Sequence, residues 1–244
     1  MPSSPKVSRF VDLSHTITHG MTTYPGLPGP AICDYLSREQ SRELYAPGVE
    51  FQIGRIDMVA NTGTYLDSPF HRYADGTDLS GLPLESLADL EAVVIRAPAG
   101  RGRAIPGRAF DGLEVGGRAV LVHTGWDAHW GTERYLSANP FLTDEAARML
   151  AAAGAALVGI DSLNIDDIGD RSRPVHSILL GAGIPIVEHL RGLAPLPARG
   201  CRFSAVPPKV AGFGTWPVRA FAVTPVPSSS AARSIVIMIC ASLL

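Results

Sequence analysis

Apolar residues in this chain gather in short runs, most of them closed by glycine or proline, and that spacing calls for short strands with a few helices between them. Val11-Asp12-Leu13-Ser14-His15-Thr16-Ile17 alternates apolar and polar residues as a half-buried strand does. Gly20 and the stretch Tyr24-Pro25-Gly26-Leu27-Pro28-Gly29-Pro30 then predict a long loop. Phe51 to Val59 alternates again and predicts a second strand that runs into the segment Asn61 to His71. Further strands are expected over Glu91 to Ile95, Ala119 to Thr124, Ala156 to Asp161 and Ile184 to Glu188. Phe203 to Val206 and Val218 to Val223 alternate as antiparallel partners do. Leu84 to Leu90 and Val175 to Leu180 read as short helices. Ala146 to Ala153 reads as an alanine-rich helix with Thr143 as its N-cap and Gly154 as its end. The sum is one mixed α/β domain over 1–244, with its core at about 10–223.

Composition narrows the class. Hydrophobic residues make up 46% and charged residues 18%, so the chain can bury a core and is not a disordered segment. A formal net charge of -2 with mixed signs offers no basic stripe for nucleic acid. Cys33, Cys201 and Cys240 are odd in number and lack CxxC spacing, which points to reduced thiols and a cytoplasmic location. Met1 to Arg9 carries no apolar core of a secretory signal. The run Ile235 to Leu244 is about half of the roughly 20 residues that span a bilayer, so no membrane contact is expected. Residues 224–244, including the stretch Pro225 to Ser230, read as a tail or terminal strand.

Two constellations could carry chemistry. In Asn61-Thr62-Gly63-Thr64-Tyr65-Leu66-Asp67-Ser68-Pro69-Phe70-His71, a glycine permits tight backbone geometry and a proline stiffens the turn that delivers a histidine after an aspartate. Read as a loop at a strand end, it can aim Asp67 and His71 into one cleft, or it can be a turn in which both bond locally. The second constellation is Asp161-Ser162-Leu163-Asn164-Ile165-Asp166-Asp167, followed by His176 and Glu188. Imidazole and carboxylate suit a divalent metal, although solvated loop acids beside a helix-face histidine would look the same. His15 and His19 lie beside the first loop. His123, His129 and His189 are ordinary surface or core positions by pattern. Tyr24, Phe70, Trp126 and Trp130 could form an aromatic wall or belong to the core.

Together these segments resemble the cyclase family that includes bacterial kynurenine formamidase and isatin hydrolase. Its signature is H-x-G-T-H-x-D-x-P-x-H. The chain has Asn61, Gly63, Thr64, Tyr65, Asp67, Pro69 and His71 at those positions, five of seven matching. Asp12-Leu13-Ser14-His15, Tyr24-Pro25-Gly26, Gly159-Ile160-Asp161 and the stretch His176 to Glu188 extend the likeness over most of the chain. The resemblance implies an α/β fold of the swivelling β/β/α type with a mixed, largely antiparallel sheet, subunits paired as homodimers or homotetramers, and metal-assisted hydrolysis of an aryl formamide or cyclic amide.

Carried over residue by residue, the resemblance makes His71 the acid/base and retains Asp67, His176 and Glu188 as metal ligands. The two signature histidines have become Asn61 and Tyr65. An amide oxygen is a poor ligand for such metals, and a phenol must lose its proton to bind well. The expectation is therefore a hydrolase with one divalent ion, Zn or Mn. The alternatives are a metal-independent cyclase or lyase, for example in polyketide ring closure, and an inactive small-molecule-binding homologue. In the metal-free alternative Tyr65 is catalytic, donating to an oxyanion. Tyr24, Asn61, Phe70 and Trp126 are the expected substrate contacts, for a small aromatic or cyclic substrate.

Overall fold

The computed structural model describes residues 8–97 and 102–225. Cys240, the run Ile235 to Leu244 and nearly all of the stretch Pro225 to Ser230 lie outside these residues.

Four strands are apolar on both faces, and they form the centre of the sheet. These are β5 (Leu90–Arg96), β7 (Ala119–His123), β9 (Leu157–Ile160) and β10 (Ile186–Glu188), hydrogen-bonded in that order and mutually parallel. A strand buried on both sides reads as a continuous apolar run, and parallel strands need such cover. Alternation divides their side chains between two cores. Leu90, Ala92, Val94, Leu121 and Leu157 enter one core, whereas Val93, Ile95, Val120, Val122, Val158 and Ile160 enter the other.

The second core is closed by helices α2 (Asp144–Ala152), through Ala146, Ala147 and Leu150, and α3 (Pro174–Gly181), through Val175, Leu179 and Leu180. Thr143 caps α2, its hydroxyl accepting from the Ala146 amide at 3.2 Å, and Gly154 follows the helix at φ 72°.

Antiparallel strands flank the parallel centre. On one side come β11 (Cys201–Ser204), β13 (Phe221–Pro225) and β1 (Ser8–Asp12). On the other come β4 (Tyr65–Asp67) and β12 (Thr215–Pro217), which completes nine strands. The mixed sheet thus has three parallel and five antiparallel pairings, as expected, with the parallel ones grouped at its middle. Two small pairs stand apart. They are β2 (Ala31–Leu36) with β3 (Ile53–Asp57), joined through α1 (Arg38–Ser41), and β6 (Ala104–Ile105) with β8 (Phe141–Leu142). Among the described residues no helix is long and apolar enough to cross a membrane.

Three sequence expectations need correction. The first strand ends at Asp12 rather than Ile17, because the Ser14 hydroxyl bonds the Val218 carbonyl and draws the chain off the ladder. Leu84 to Leu90 holds only a 3-10 turn, Leu84–Ser86, before β5 begins. The Asn61 to His71 segment is more than a loop: Tyr65, Leu66 and Asp67 are a buried strand paired on both sides.

β4 sets the site. Its register places Tyr65 opposite Glu188 and Pro217, and Asp67 opposite Ile186 and Thr215, so Tyr65, Asp67, Glu188 and Thr215 share the sheet face that α3 covers. Pro69–His71 then turns as one 3-10 turn, with Ser68 N bonding the Gly214 carbonyl at 2.7 Å. Gly214 is needed there: a Cβ on it would lie 2.5 Å from the His71 Cα and N. Gly214→Ala should therefore cost about 1–3 kcal/mol and displace His71. A lower melting temperature together with a shifted His71 imidazole NMR signal is the expected result, and an unchanged melting curve would contradict it.

Candidate active site

Asp67 is buried and its two oxygens have different fates. The Thr215 hydroxyl donates to Oδ1, whereas Oδ2 has no hydrogen-bond partner. A buried unpaired carboxylate oxygen is costly. What faces it is His176 on α3, whose Nε2 lies 3.7 Å from Asp67 Oδ2 and 3.6 Å from Glu188 Oε1. The early strand and the C-terminal half do meet in one pocket.

The thiol-free donor set suits one small divalent ion. Ligand atoms bonded at about 2.1 Å around a tetrahedral ion stand roughly 3.4 Å apart, close to these separations. Ligand atoms of Asp67, His71 and His176 lie within 4.8 Å of one another, a cluster that takes in His71 and leaves out Glu188.

Each imidazole is oriented by a partner. His176 Nδ1 is 2.6 Å from Asp166 Oδ2, so it donates there and turns Nε2 toward Asp67 and Glu188. The Asp166 carboxylate also accepts the Val175 amide at 2.7 Å and the His176 amide at 3.1 Å, capping the open N-terminus of α3. One side chain therefore fixes both the helix and its histidine. His71 Nδ1 is 2.8 Å from Thr215 Oγ1. Because the single Thr215 proton goes to Asp67, its oxygen accepts from His71 Nδ1–H, and in the neutral ring that tautomer leaves Nε2 as the acceptor.

Glu188 is held by the Ile165 amide on Oε1 at 2.6 Å and by the Tyr65 hydroxyl on Oε2 at 2.6 Å, with Asn164 at 3.4 Å. Asn61 lies beside the Tyr65 hydroxyl. Burial, then the charges of Glu188 and Asp67, raise the Tyr65 phenol well above its ordinary value, so it keeps its proton and donates a hydrogen bond to Glu188. This corrects the expectation of Tyr65 as a free oxyanion donor.

The charges are interdependent. Burial would raise Asp67, but His71, His176 and Thr215 outweigh it and hold the carboxyl below its usual range. Burial opposes a charged His176, yet Asp166, Asp67 and Glu188 lift it to about 10. Burial pushes Glu188 up to about 7 against the pull of His176. Such an assembly holds its charges only by mutual neutralisation.

A cavity of about 390 Å³ opens over these groups. Tyr24, Asn61, Tyr65, His71, His176 and Glu188 reach its wall, together with Pro25, Gly26 and Leu27 from the early loop. Phe70 and Trp126 do not. Trp126 is buried with Tyr135 and Leu163 behind Tyr24, its indole donating to the Tyr135 carbonyl at 3.1 Å, and Phe70 is half-buried in the 3-10 turn and takes no part in the cavity lining. Sequence reasoning missed Thr215, Arg72 and Arg173, and it did not separate Asn164 and Asp166 from their neighbours in the second constellation.

His189 backs the site. It is fully buried at φ 56°, with Nδ1 2.8 Å from the Tyr135 hydroxyl and its ring centroid 5.1 Å from that of Tyr65. Burial, then His15, lowers its pKa from 6.5 to about 3. The fold thus excludes a proton that the unfolded chain takes up, so this contribution is complete above pH 6.5 and is lost as pH falls from 6.5 toward about 3. At about 1.4 kcal/mol per pH unit, lowering pH from 7 to 5 should cost the wild type about 2 kcal/mol more than His189→Gln. Denaturant unfolding at the two pH values measures this, and equal losses would contradict it.

Known proteins resemble this chain in sequence and in fold. The family model described as Putative cyclase matches residues 11–167. A kynurenine formamidase of Bacillus cytotoxicus is 27% identical over 194 residues, covering 76% of this chain and 83% of its own. A kynurenine formamidase of Bordetella avium is 27% identical over 187 residues, covering 75% and 83%. Among solved structures, an isatin hydrolase bound to the product analogue thioisatinate superposes with a TM-score of 0.77 at 21% identity, covering 90% of this chain and 93% of the other. A potential metal-dependent hydrolase with cyclase activity superposes at 0.74 and 25% identity, covering 91% and 100%.

Proposed function

The chain belongs to the Putative cyclase family, and from that premise we propose that it is a metal-dependent hydrolase of amide bonds in small aromatic or cyclic substrates. The observation that carries the reading is the approach of His176 Nε2 to both Asp67 Oδ2 and Glu188 Oε1, with the Asp67 oxygen buried and unpartnered. Relatives named kynurenine formamidase and the likeness to a potential metal-dependent hydrolase support it.

Asp67, His176 and Glu188 would hold one divalent ion, Zn or Mn. When bound, such an ion supplies Lewis acidity that polarises a carbonyl and acidifies water. His71 Nε2, directed by Thr215, takes the proton from the attacking water and returns it to the leaving nitrogen. Tyr65 and Asn164 position Glu188, and Asp166 positions His176. Tyr65 also takes the place of one signature histidine, so the set of ligands for a second ion is incomplete. Tyr24, Pro25 and Leu27 give the pocket apolar walls suited to a flat ring.

The same proposal covers assembly and location. The β2–β3 pair carries Ile32, Tyr35, Ile53 and Ile56 exposed to solvent, with Leu44, Tyr45 and Phe51 exposed nearby, a surface suited to another copy of the chain in a homodimer or homotetramer. The free thiols Cys33 and Cys201 fit a reducing cytoplasm.

Protein purified without chelators should carry one Zn or Mn per chain and hydrolyse formanilide. Asp67→Ala and His176→Ala should each lose the ion and the activity, while Asp166→Asn should weaken metal affinity by about 10–100-fold. Elemental analysis with a formanilide assay tests this. A wild type that holds no stoichiometric ion and gains nothing from added metal would overturn it.

A further inference from the structure

Beside the reacting groups, the pocket wall carries two guanidinium groups with no ion-pair partner among the described residues. Arg72 and Arg173 both reach the cavity, and neither takes part in any ion pair among the described residues. For Arg173 this happens although acids lie close in sequence. Asp167 is paired with Arg103 at 2.8 Å, and Asp170 is occupied by the Ser172 amide and hydroxyl at 2.9 and 2.7 Å.

The Arg173 side chain is nonetheless held in place. Nη1 donates to the Asp167 carbonyl at 2.8 Å and Nη2 to the Tyr24 hydroxyl at 3.2 Å, which ties α3 to the early loop across the pocket mouth. Its backbone sits at φ 48°, ψ 58°, a left-handed conformation that is strained for a side chain of this kind and that collects at ligand-binding positions. Two neutral acceptors use two of the five N–H donors of a guanidinium, leaving others for a planar anion. Arg72 lies on the same side, its Nε bonded to the Ser177 hydroxyl at 3.1 Å.

We propose that Arg173, braced by Tyr24 and aided by Arg72, selects substrates that carry a carboxylate on the ring, remote from the bond that is cut. The proposal rests on the hydrolase reading for the reaction and on the pocket alone for the binding. A carboxylate matches the fork of the guanidinium in two parallel hydrogen bonds, and the apolar wall of Tyr24, Pro25 and Leu27 receives the ring that bears it.

The test compares formanilides bearing an ortho, meta or para carboxylate with their uncharged carboxamide counterparts. For at least one position the wild type should favour the acid in kcat/KM, with the gain in KM. Arg173→Gln should lower the acid-to-amide ratio by about 10–100-fold, as expected for losing a hydrogen bond to a charged group. Arg173→Lys should lower it less, and Tyr24→Phe, which keeps the ring, should lower it by several-fold. A purely structural role would depress acid and amide alike and leave the ratio unmoved, which overturns the proposal, as does a wild type with no preference.

A second arm reads binding without turnover, as the rise in melting temperature with benzoate, 2-aminobenzoate or phenylphosphonate in wild type and Arg173→Gln. Stabilisation by the carboxylates that vanishes in Arg173→Gln supports the subsite even if no formanilide is hydrolysed, in which case the hydrolase reading alone fails. Stabilisation independent of Arg173, or stronger for phenylphosphonate than for benzoate, would overturn the carboxylate assignment.

Discussion

A carboxylate with a free oxygen in a dry place is the constraint around which this pocket is organised. Asp67 is buried because β4 is wedged between β10 and β12, and only one of its oxygens finds a donor, the Thr215 hydroxyl. The uncompensated oxygen has to be met by positive charge. His176 Nε2 faces it across 3.7 Å, where a bound ion would supply that charge, and Asp166 holds His176 at the opposite ring nitrogen. The parallel centre of the sheet supplies rigidity, because β9 and β10 fix the loop and strand from which Asp166 and Glu188 project.

The two departures from the family signature are connected. Tyr65 occupies a histidine position, and its hydroxyl satisfies Glu188 Oε2 at 2.6 Å, with Asn61 alongside. A phenol whose pKa is raised by burial stays a donor, which keeps Glu188 in place without a second metal. On the proposed one-ion reading, Tyr65 braces Glu188 at a position where the resemblance implies a metal ligand, while Asp67 and His176 keep their donors.

Much of this was legible from residue order, and the gaps have physical causes. Asp67, His71, His176 and Glu188 stand in a recognisable spacing, and the long apolar runs gave β5, β7, β9 and α2 to within a few residues. β4 and β12 were hidden because three residues cannot display a two-residue period, and Gly63, Pro69 and Pro217 around them read as loop. Thr215, which sets the tautomer of His71, was invisible for that reason. Asp166 could not be told from Asp161 and Asp167: only the fold shows that Asp161 turns away to bond Thr124 and Gly125, and Asp167 to bond Arg103. Phe70 and Trp126 were misplaced because an aromatic side chain near a loop gives no sign of whether it faces the core or the opening.

The most direct test of this account is an anomalous-scattering map from crystals of the protein grown with Mn. The account predicts a single peak per chain, enclosed by Asp67, His176 and Glu188, with none beside Asn61 and Tyr65. An empty map at Asp67, or a second peak next to the Tyr65 hydroxyl, would contradict it.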